Sequence, residues 1–87
     1  MTRTYAVKYK SKSKMLTTPE AVADTEKIIL ENTLVKSVKI EDNGQIVTVQ
    51  VEKEEDYAEV MNKVVNVFRK IDDKSEVSYK FGLNYGK

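Results

Sequence analysis

Two hydrophobic periods alternate along this chain of 87 residues. Four segments repeat apolar residues at every second position, as half-buried strands do, and two repeat them every three to four positions, as amphipathic helices do. The predicted strands cover about residues 4–10, 35–41, 46–52 and 76–85, and the predicted helices cover about residues 18–32 and 55–71. Their order is strand, helix, strand, strand, helix, strand. It favours a single α+β domain, 1–87, in which both helices cross over one sheet.

The clearest local signal is Asn43-Gly44, which lies between two alternating runs. Both residues tolerate the positive φ of a type I′ turn, so a hairpin is predicted here. A two-residue loop at this point sets the register of the flanking strands, and that register agrees with the hydrophobic pattern. The predicted pairs are Val38 with Val49 and Ile40 with Val47 on the buried face, and Ser37 with Gln50 and Lys39 with Thr48 on the other face.

The first helix starts at Thr17-Thr18-Pro19-Glu20. If Thr17 is the N-cap, Glu20 completes a capping box, and if Thr18 is the N-cap, Pro19 takes the preferred first helical position. The predicted buried arc of this helix is Ala21, Val22, Thr25, Ile28 and Ile29. That of the second helix is Tyr57, Val60, Met61, Val64, Val65, Val67, Phe68 and Ile71.

This order of elements resembles the ferredoxin-like arrangement. The resemblance implies a two-layer βαββαβ sandwich, with a four-stranded antiparallel sheet, both helices on one face, and the first and third strands in the centre. It extends over nearly the whole chain but rests on element order and on no sequence motif. No functional residues of a known family can therefore be transferred to this sequence.

The composition excludes several chemistries, because the chain has no cysteine and no histidine. The common pairs of nucleophile and base, disulfides and the usual zinc sites all need one of these residues. A group of acids, Glu52, Glu54, Glu55 and Asp56, precedes the second helix. Acids at a helix N-terminus compensate the helix dipole, and this interpretation is favoured over a metal site. We expect a protein that is not an enzyme and has no cofactor.

The sequence also predicts a cytoplasmic protein without a membrane partner. Its first residues, Met1-Thr2-Arg3-Thr4-Tyr5, lack the apolar core of a signal peptide. No apolar run approaches the length that a membrane span needs.

A net charge of +1 conceals an uneven distribution. Residues 1–16 carry five bases and no acid, whereas residues 17–73 carry seven bases and thirteen acids. If the first strand continues to Lys14, then Lys8, Lys10, Lys12 and Lys14 project from one face at intervals of roughly 7 Å. Such a ladder predicts an anion-binding edge for nucleic acid or for an acidic protein, extended by Arg3 and Lys80. The alternative is a flexible, solvated loop whose lysines favour solubility.

The aromatic residues argue against base stacking on the sheet. RNA-recognition modules of this element order stack bases on aromatic residues of the open face. Here the central strands are predicted to show Thr4, Ala6, Lys8, Thr48 and Gln50 on that face. The residues predicted to point towards the helices are Tyr5, Tyr9, Tyr79, Phe81 and Tyr85.

The leading interpretation is a small interaction module that acts by protein–protein contact, as a homodimer or as a regulator or inhibitor of a larger target. The last strand is a predicted edge, and an edge can pair with a copy of itself or with a partner strand. The interface residues on this edge are Tyr79, Phe81, Leu83 and Tyr85. One alternative is a nucleic-acid-binding protein that uses the lysine-rich residues 8–14, which we call the lysine segment. The other is a small-ligand sensor at a dimer interface, for which the sequence shows no residue signature.

Overall fold

The structure, a computed structural model, describes residues 1–79. Its strands are β1 (Thr2–Lys8), β2 (Val35–Glu41), β3 (Ile46–Val51) and β4 (Glu76–Tyr79), and its helices are α1 (Pro19–Leu30) and α2 (Tyr57–Ile71). The sheet order is β2-β3-β1-β4 and every neighbouring pair is antiparallel. The predicted ferredoxin-like sandwich is thereby confirmed. Residues 80–85 of the predicted last strand lie outside the described residues.

The hairpin between β2 and β3 has the predicted register and a type I′ turn at Asn43-Gly44. The prediction of a two-residue loop is wrong, because residues 42–45 connect the strands and Asp42 also has a positive φ, of 54°. Asn43 and Gly44 have φ values of 56° and 89°, and the Gln45 N–H donates to the Asp42 carbonyl at 3.0 Å, as a type I′ turn requires. The confirmed pairs are Val38 with Val49, Ile40 with Val47, Ser37 with Gln50 and Lys39 with Thr48. A register shift between Val35 and Ser37 adds a bulge at the start of β2.

Helix α1 begins where one of the two capping alternatives places it. The Thr18 hydroxyl accepts a hydrogen bond from the Ala21 N–H at 3.1 Å, and Pro19 is the first helical residue. The helix buries Thr25 and Ile29. The prediction that Ile28 is buried is wrong, because its side chain is 43% exposed. Ile28 lies on the flank of the narrow stripe that faces the sheet.

Helix α2 supplies most of the apolar surface that covers the sheet. It starts after a short 3-10 turn at Glu54–Asp56, two residues later than predicted. Val60, Val64 and Phe68 are fully buried and pack against the inward side chains of the central strands. The buried core comprises Tyr5, Val7, Leu16, Ile29, Val35, Ile40, Val47, Val49, Val51, Tyr57, Val60, Val64, Val67 and Phe68.

Strand β1 begins and ends two residues earlier than predicted. Its start is extended because Met1 exchanges two hydrogen bonds with Val51, the last residue of β3. It ends at Lys8 because the Lys10 and Ser11 N–H groups bind the Asp72 carboxylate and not a neighbouring strand.

Neither helix in the described part of the chain is long and apolar enough to span a membrane.

Candidate anion-binding site

The lysine segment does not continue β1, and the predicted ladder of four lysines on one strand face is wrong. After Lys8 the chain leaves the sheet, and a 3-10 turn covers Lys12–Lys14. The reason is topological: α1 runs back along the sheet, so the chain must reverse direction soon after β1 ends. A 3-10 turn has three residues per revolution, so Lys12 and Lys14 project in different directions.

Asp72 holds this segment in place. Its Oδ2 atom accepts hydrogen bonds from the Lys10 N–H at 2.9 Å and the Ser11 N–H at 3.0 Å, and its Oδ1 atom accepts from the Lys74 N–H at 3.1 Å. The residue is 6% exposed. The pKa of the Asp72 carboxyl lies below its usual value, chiefly because the Ser11 N–H donates to it. The Lys74 and Lys10 N–H groups and the charge of Lys14 lower this pKa further. The carboxylate is therefore ionised at neutral pH and joins the lysine segment to the turn after α2.

Tyr9 and Leu16 anchor the same segment to the hairpin. The Tyr9 hydroxyl donates to the Gly44 carbonyl at 2.8 Å, and its ring lies edge-on to Phe68 with centroids 6.3 Å apart. Burial and the nearby Asp72 charge raise the pKa of Tyr9 well above its usual value, so the phenol stays neutral. Leu16 is buried, and its N–H donates to the Asn43 carbonyl at 2.8 Å. Hydrogen bonds to Asp72, Gly44 and Asn43 thus join the lysine segment to the rest of the fold at several points.

A pocket of about 230 Å³ opens at the end of β1. It is lined by Lys8, Tyr9, Lys10, Lys74 and Glu76. Lys8 and Glu76 are directly opposite in the pairing of β1 with β4. Three lysines and one glutamate therefore line the pocket, and this excess of positive charge favours an anion.

We use the name basic surface for Lys8, Lys10, Lys12, Lys14 and Lys74, all of which are exposed. Within residues 1–79, the ion pairs of 4.0 Å or less involve other bases, namely Arg3, Lys39 and Lys63. The five ammonium groups of the basic surface thus have no carboxylate partner at that distance in the described part of the chain. Lys74 was not predicted, because only the fold brings it beside Lys10. The one sequence signal for the position of Lys74 is the Asp72-Asp73-Lys74 turn. An Asp side chain readily accepts a hydrogen bond from the backbone N–H two residues later.

Arg3 does not belong to the basic surface. Its guanidinium carbon lies 4.2 Å from the centroid of the Tyr57 ring and 4.7 Å from that of Tyr79, and the Arg3 Nη2 atom is 3.4 Å from the Glu54 carboxylate. Arg3 is five residues from Lys8 on β1, and so has the opposite parity and faces the helices. These cation–π and ionic contacts hold the Arg3 side chain against the two tyrosine rings and Glu54. Lys80, the remaining predicted member, lies outside the described residues.

Two buried tyrosine hydroxyls lie beside Arg3. The hydroxyl oxygens of Tyr5 and Tyr57 are buried, and neither makes a hydrogen bond of good geometry within residues 1–79. The Arg3 guanidinium is the nearest donor to the Tyr5 hydroxyl, and the Val51 backbone is the nearest to the Tyr57 hydroxyl. Burial raises the pKa of both phenols, and the Arg3 charge opposes that rise. Both phenols are therefore neutral at physiological pH, and neither is an activated nucleophile.

The open face of the sheet has the predicted polar character. It shows Thr4, Ala6, Lys8, Thr48 and Gln50 on the two central strands. Tyr5 is 1% exposed, Tyr9 contacts Phe68, and Tyr79 lies opposite Tyr5 on the helix side of β4. In the described part of the sheet, no aromatic ring is available for base stacking on the open face. Phe81 and Tyr85 lie outside the described residues.

The two edges of the sheet differ. At the β2 edge, the Ile40 N–H donates to the Glu26 carboxylate at 2.9 Å and the Val35 N–H donates to the Asn32 carbonyl at 3.0 Å. These contacts and the bulge occupy two N–H groups and distort the start of that edge. β4 has only β1 as a strand neighbour among residues 1–79. Of the predicted interface residues, only Tyr79 is described, and it is 37% exposed; Phe81, Leu83 and Tyr85 lie outside.

Within residues 1–79, no three metal-binding side chains come together as a cluster. Comparison of the chain with protein-family models and with curated protein sequences found no match. The function is therefore argued from the geometry of the site alone.

We expect Asp72→Asn to destabilise the protein at pH 6, because the ionised carboxylate accepts three backbone hydrogen bonds that an amide cannot fully replace. The folded state lowers the pKa of Asp72, so this stabilisation is complete above the unfolded pKa of about 3.9 and is lost as the pH falls through the folded pKa. Urea midpoints of both proteins from pH 6 to pH 2 should therefore begin to converge below about pH 4 and continue to converge as the pH falls further. Asp73→Asn, at an exposed neighbour, is the control. A gap between wild type and Asp72→Asn that is absent, or that stays constant to pH 2, contradicts this role of Asp72.

Proposed function

We propose that this chain is a small, non-enzymatic interaction module that binds an acidic surface of a protein partner through its basic surface. One observation carries the proposal: five exposed lysines without an ion pair among residues 1–79 are mounted on a backbone that Asp72, Tyr9 and Leu16 hold in place. A predicted cytoplasmic location is compatible with this function and stays a prediction.

The fixed backbone favours binding over a role in solubility alone. Lysines that only keep a protein soluble have no need of an ordered main chain, whereas a preorganised surface loses less conformational entropy when a partner binds. Lys8, Lys10 and Lys74 also surround one pocket, where their like charges repel and Glu76 offsets only part of the excess. Carboxylates of a partner relieve this repulsion, which is a source of affinity and of specificity for acidic surfaces.

The open face favours a protein partner over a nucleic acid. Proteins that bind single strands combine a basic groove with aromatic rings on which bases stack. The described open face has threonine, alanine and glutamine instead, and Tyr5, Tyr9 and Tyr79 lie on the helix side of the sheet. Nucleic acid is the second candidate, because the basic surface can contact phosphates without reading bases.

Self-association is part of the proposal, through the outer edge of β4. The β2 edge is blunted by Glu26, Asn32 and a bulge, so a further strand is accommodated better beside β4. A module with a strand edge and a basic surface is suited to regulate or inhibit a larger target by covering its surface.

The proposal predicts salt-dependent binding to an acidic polypeptide. Fluorescently labelled poly-L-glutamate is the probe, and its anisotropy measures binding. The salt concentration is varied between about 50 and 300 mM, a range over which the screening of exposed charges changes strongly. We expect the variant with Lys8, Lys10, Lys12 and Lys74 changed to Gln to bind at least about tenfold more weakly than wild type. Lys14 is kept, because its charge acts on Asp72.

The matched control changes four exposed lysines elsewhere, Lys27, Lys36, Lys39 and Lys53, to Gln, so that net charge falls equally. Equal losses in both variants contradict a specific basic surface and leave only net charge. Tighter binding to single- or double-stranded DNA than to polyglutamate, with a steep logarithmic salt slope, makes nucleic acid the better assignment. Light scattering of the same samples gives their mass, and a single-chain mass at all concentrations contradicts the self-association.

A further inference from the structure

A second cavity, of about 320 Å³, lies between α1 and α2 on the helical side of the molecule. It is separate from the basic surface. Thr25 and Val67 line it and are buried, while Ile28 and Ile71 line it with more exposed side chains. Three polar residues of α2, Lys63, Asn66 and Lys70, complete the lining.

The apolar part of the cavity leaves hydrocarbon in contact with water. Ile28 is 43% exposed although its position on α1 predicts burial. Surface apolar residues are common singly, but here Ile28, Val67 and Ile71 border the same cavity. An apolar group placed between them would remove their remaining surface from water, which is favourable.

The two lysines differ in their partners. Lys63 and Lys70 are seven residues apart on α2, which is a rise of about 10 Å. The Lys63 ammonium lies 4.0 Å from the Glu31 carboxylate. Lys70 has no ion pair within 4.0 Å among the described residues. The cavity therefore combines an apolar strip with one uncompensated positive charge at its end.

We propose that this cavity binds a small amphiphilic anion, an aliphatic carboxylate of about ten non-hydrogen atoms, with its head at Lys70 and its chain against Ile28, Val67 and Ile71. The volume equals that of about ten water molecules and is at the lower end of the range for small-molecule sites. A protein segment fits less well, because a stable protein interface needs about 800 Å² from each partner. Charge complementarity selects an anion over a neutral lipid chain.

The test is a titration with octanoate, followed by the amide shifts of the ¹⁵N-labelled full chain. Octanol, which lacks the charge, and acetate, which lacks the chain, are the ligand controls. We expect saturable octanoate shifts at Thr25, Ile28, Val67 and Ile71, and weaker binding of both controls. Lys70→Met should weaken octanoate binding about five- to tenfold and leave octanol unchanged, since it removes one charge-assisted contact. Ile28→Gln should weaken both.

Lys74→Met is the matched control, because Lys74 belongs to the basic surface and not to this cavity. It should leave octanoate binding unchanged. Loss of octanoate binding in Lys74→Met, an equal response to acetate, tighter binding of an acidic amphipathic peptide in the same cavity, or the lack of a saturable shift overturns the proposal. The result does not depend on the proposed function, since the two sites share no residue.

Discussion

We expect Phe68→Ala to lower the free energy of unfolding by about 3 to 5 kcal/mol. Phe68 is fully buried in the C-terminal part of α2, and its ring lies edge-on to that of Tyr9. Truncation removes the largest side chain that α2 buries completely and leaves a cavity that close-packed neighbours fill only in part. Small domains have about 5 to 15 kcal/mol in total, so the variant should be close to its unfolding limit.

Urea unfolding followed by circular dichroism measures this loss. Leu30→Ala is the control, because Leu30 is 45% exposed on α1 and should cost less than about 1 kcal/mol. Equal midpoints for Phe68→Ala and Leu30→Ala would show that α2 does not pack on the sheet as described.

The second large effect is expected for Gly44→Val, at about 2 to 6 kcal/mol. Gly44 has a φ of +89°, which β-branched residues resist. An added Cβ would also lie 2.5 Å from the Tyr9 hydroxyl oxygen and 2.8 Å from the Leu16 Cγ atom. The substitution therefore strains the turn and displaces the two side chains that anchor the lysine segment.

Thermal unfolding compares Gly44→Val with Asn43→Gly in the same turn. Asn43 also has a positive φ, of 56°, and glycine adopts that conformation readily, so Asn43→Gly should change stability by less than about 1 kcal/mol. A Gly44→Val protein as stable as wild type would mean that the hairpin closes in another way.

Local patterns predicted the features that depend on neighbours in sequence. The register of β2 and β3 follows from a turn whose two residues favour positive φ and from runs of period two, which agree with each other. Thr17, Thr18 and Pro19 limit the start of α1 to two positions. Thr18 is the N-cap in the structure, because its hydroxyl accepts a hydrogen bond from the Ala21 N–H.

Features that depend on distant contacts were not predictable. From the sequence, the lysine segment is expected to extend a strand or to be mobile. No local pattern shows that the Lys10 N–H donates to the carboxylate of Asp72, which is 62 residues away. Lys74 joins the basic surface because Asp72 accepts hydrogen bonds from both the Lys10 and the Lys74 N–H groups, which no local pattern indicates. The inward position of Arg3, by contrast, follows from its parity on β1, which it shares with Tyr5. The exposed position of Ile28 depends on how closely α1 and α2 approach.

The most direct test of the basic surface as a binding site is a map of amide shifts on addition of poly-L-glutamate to the ¹⁵N-labelled chain at low salt. Our account predicts that the largest shifts occur at residues 8–14 and at Lys74, whose positions Asp72 fixes, and that Ser37 and Lys39 at the far edge of the sheet change little. Shifts of similar size over the whole surface, or shifts concentrated away from residues 8–14 and 74, would contradict it.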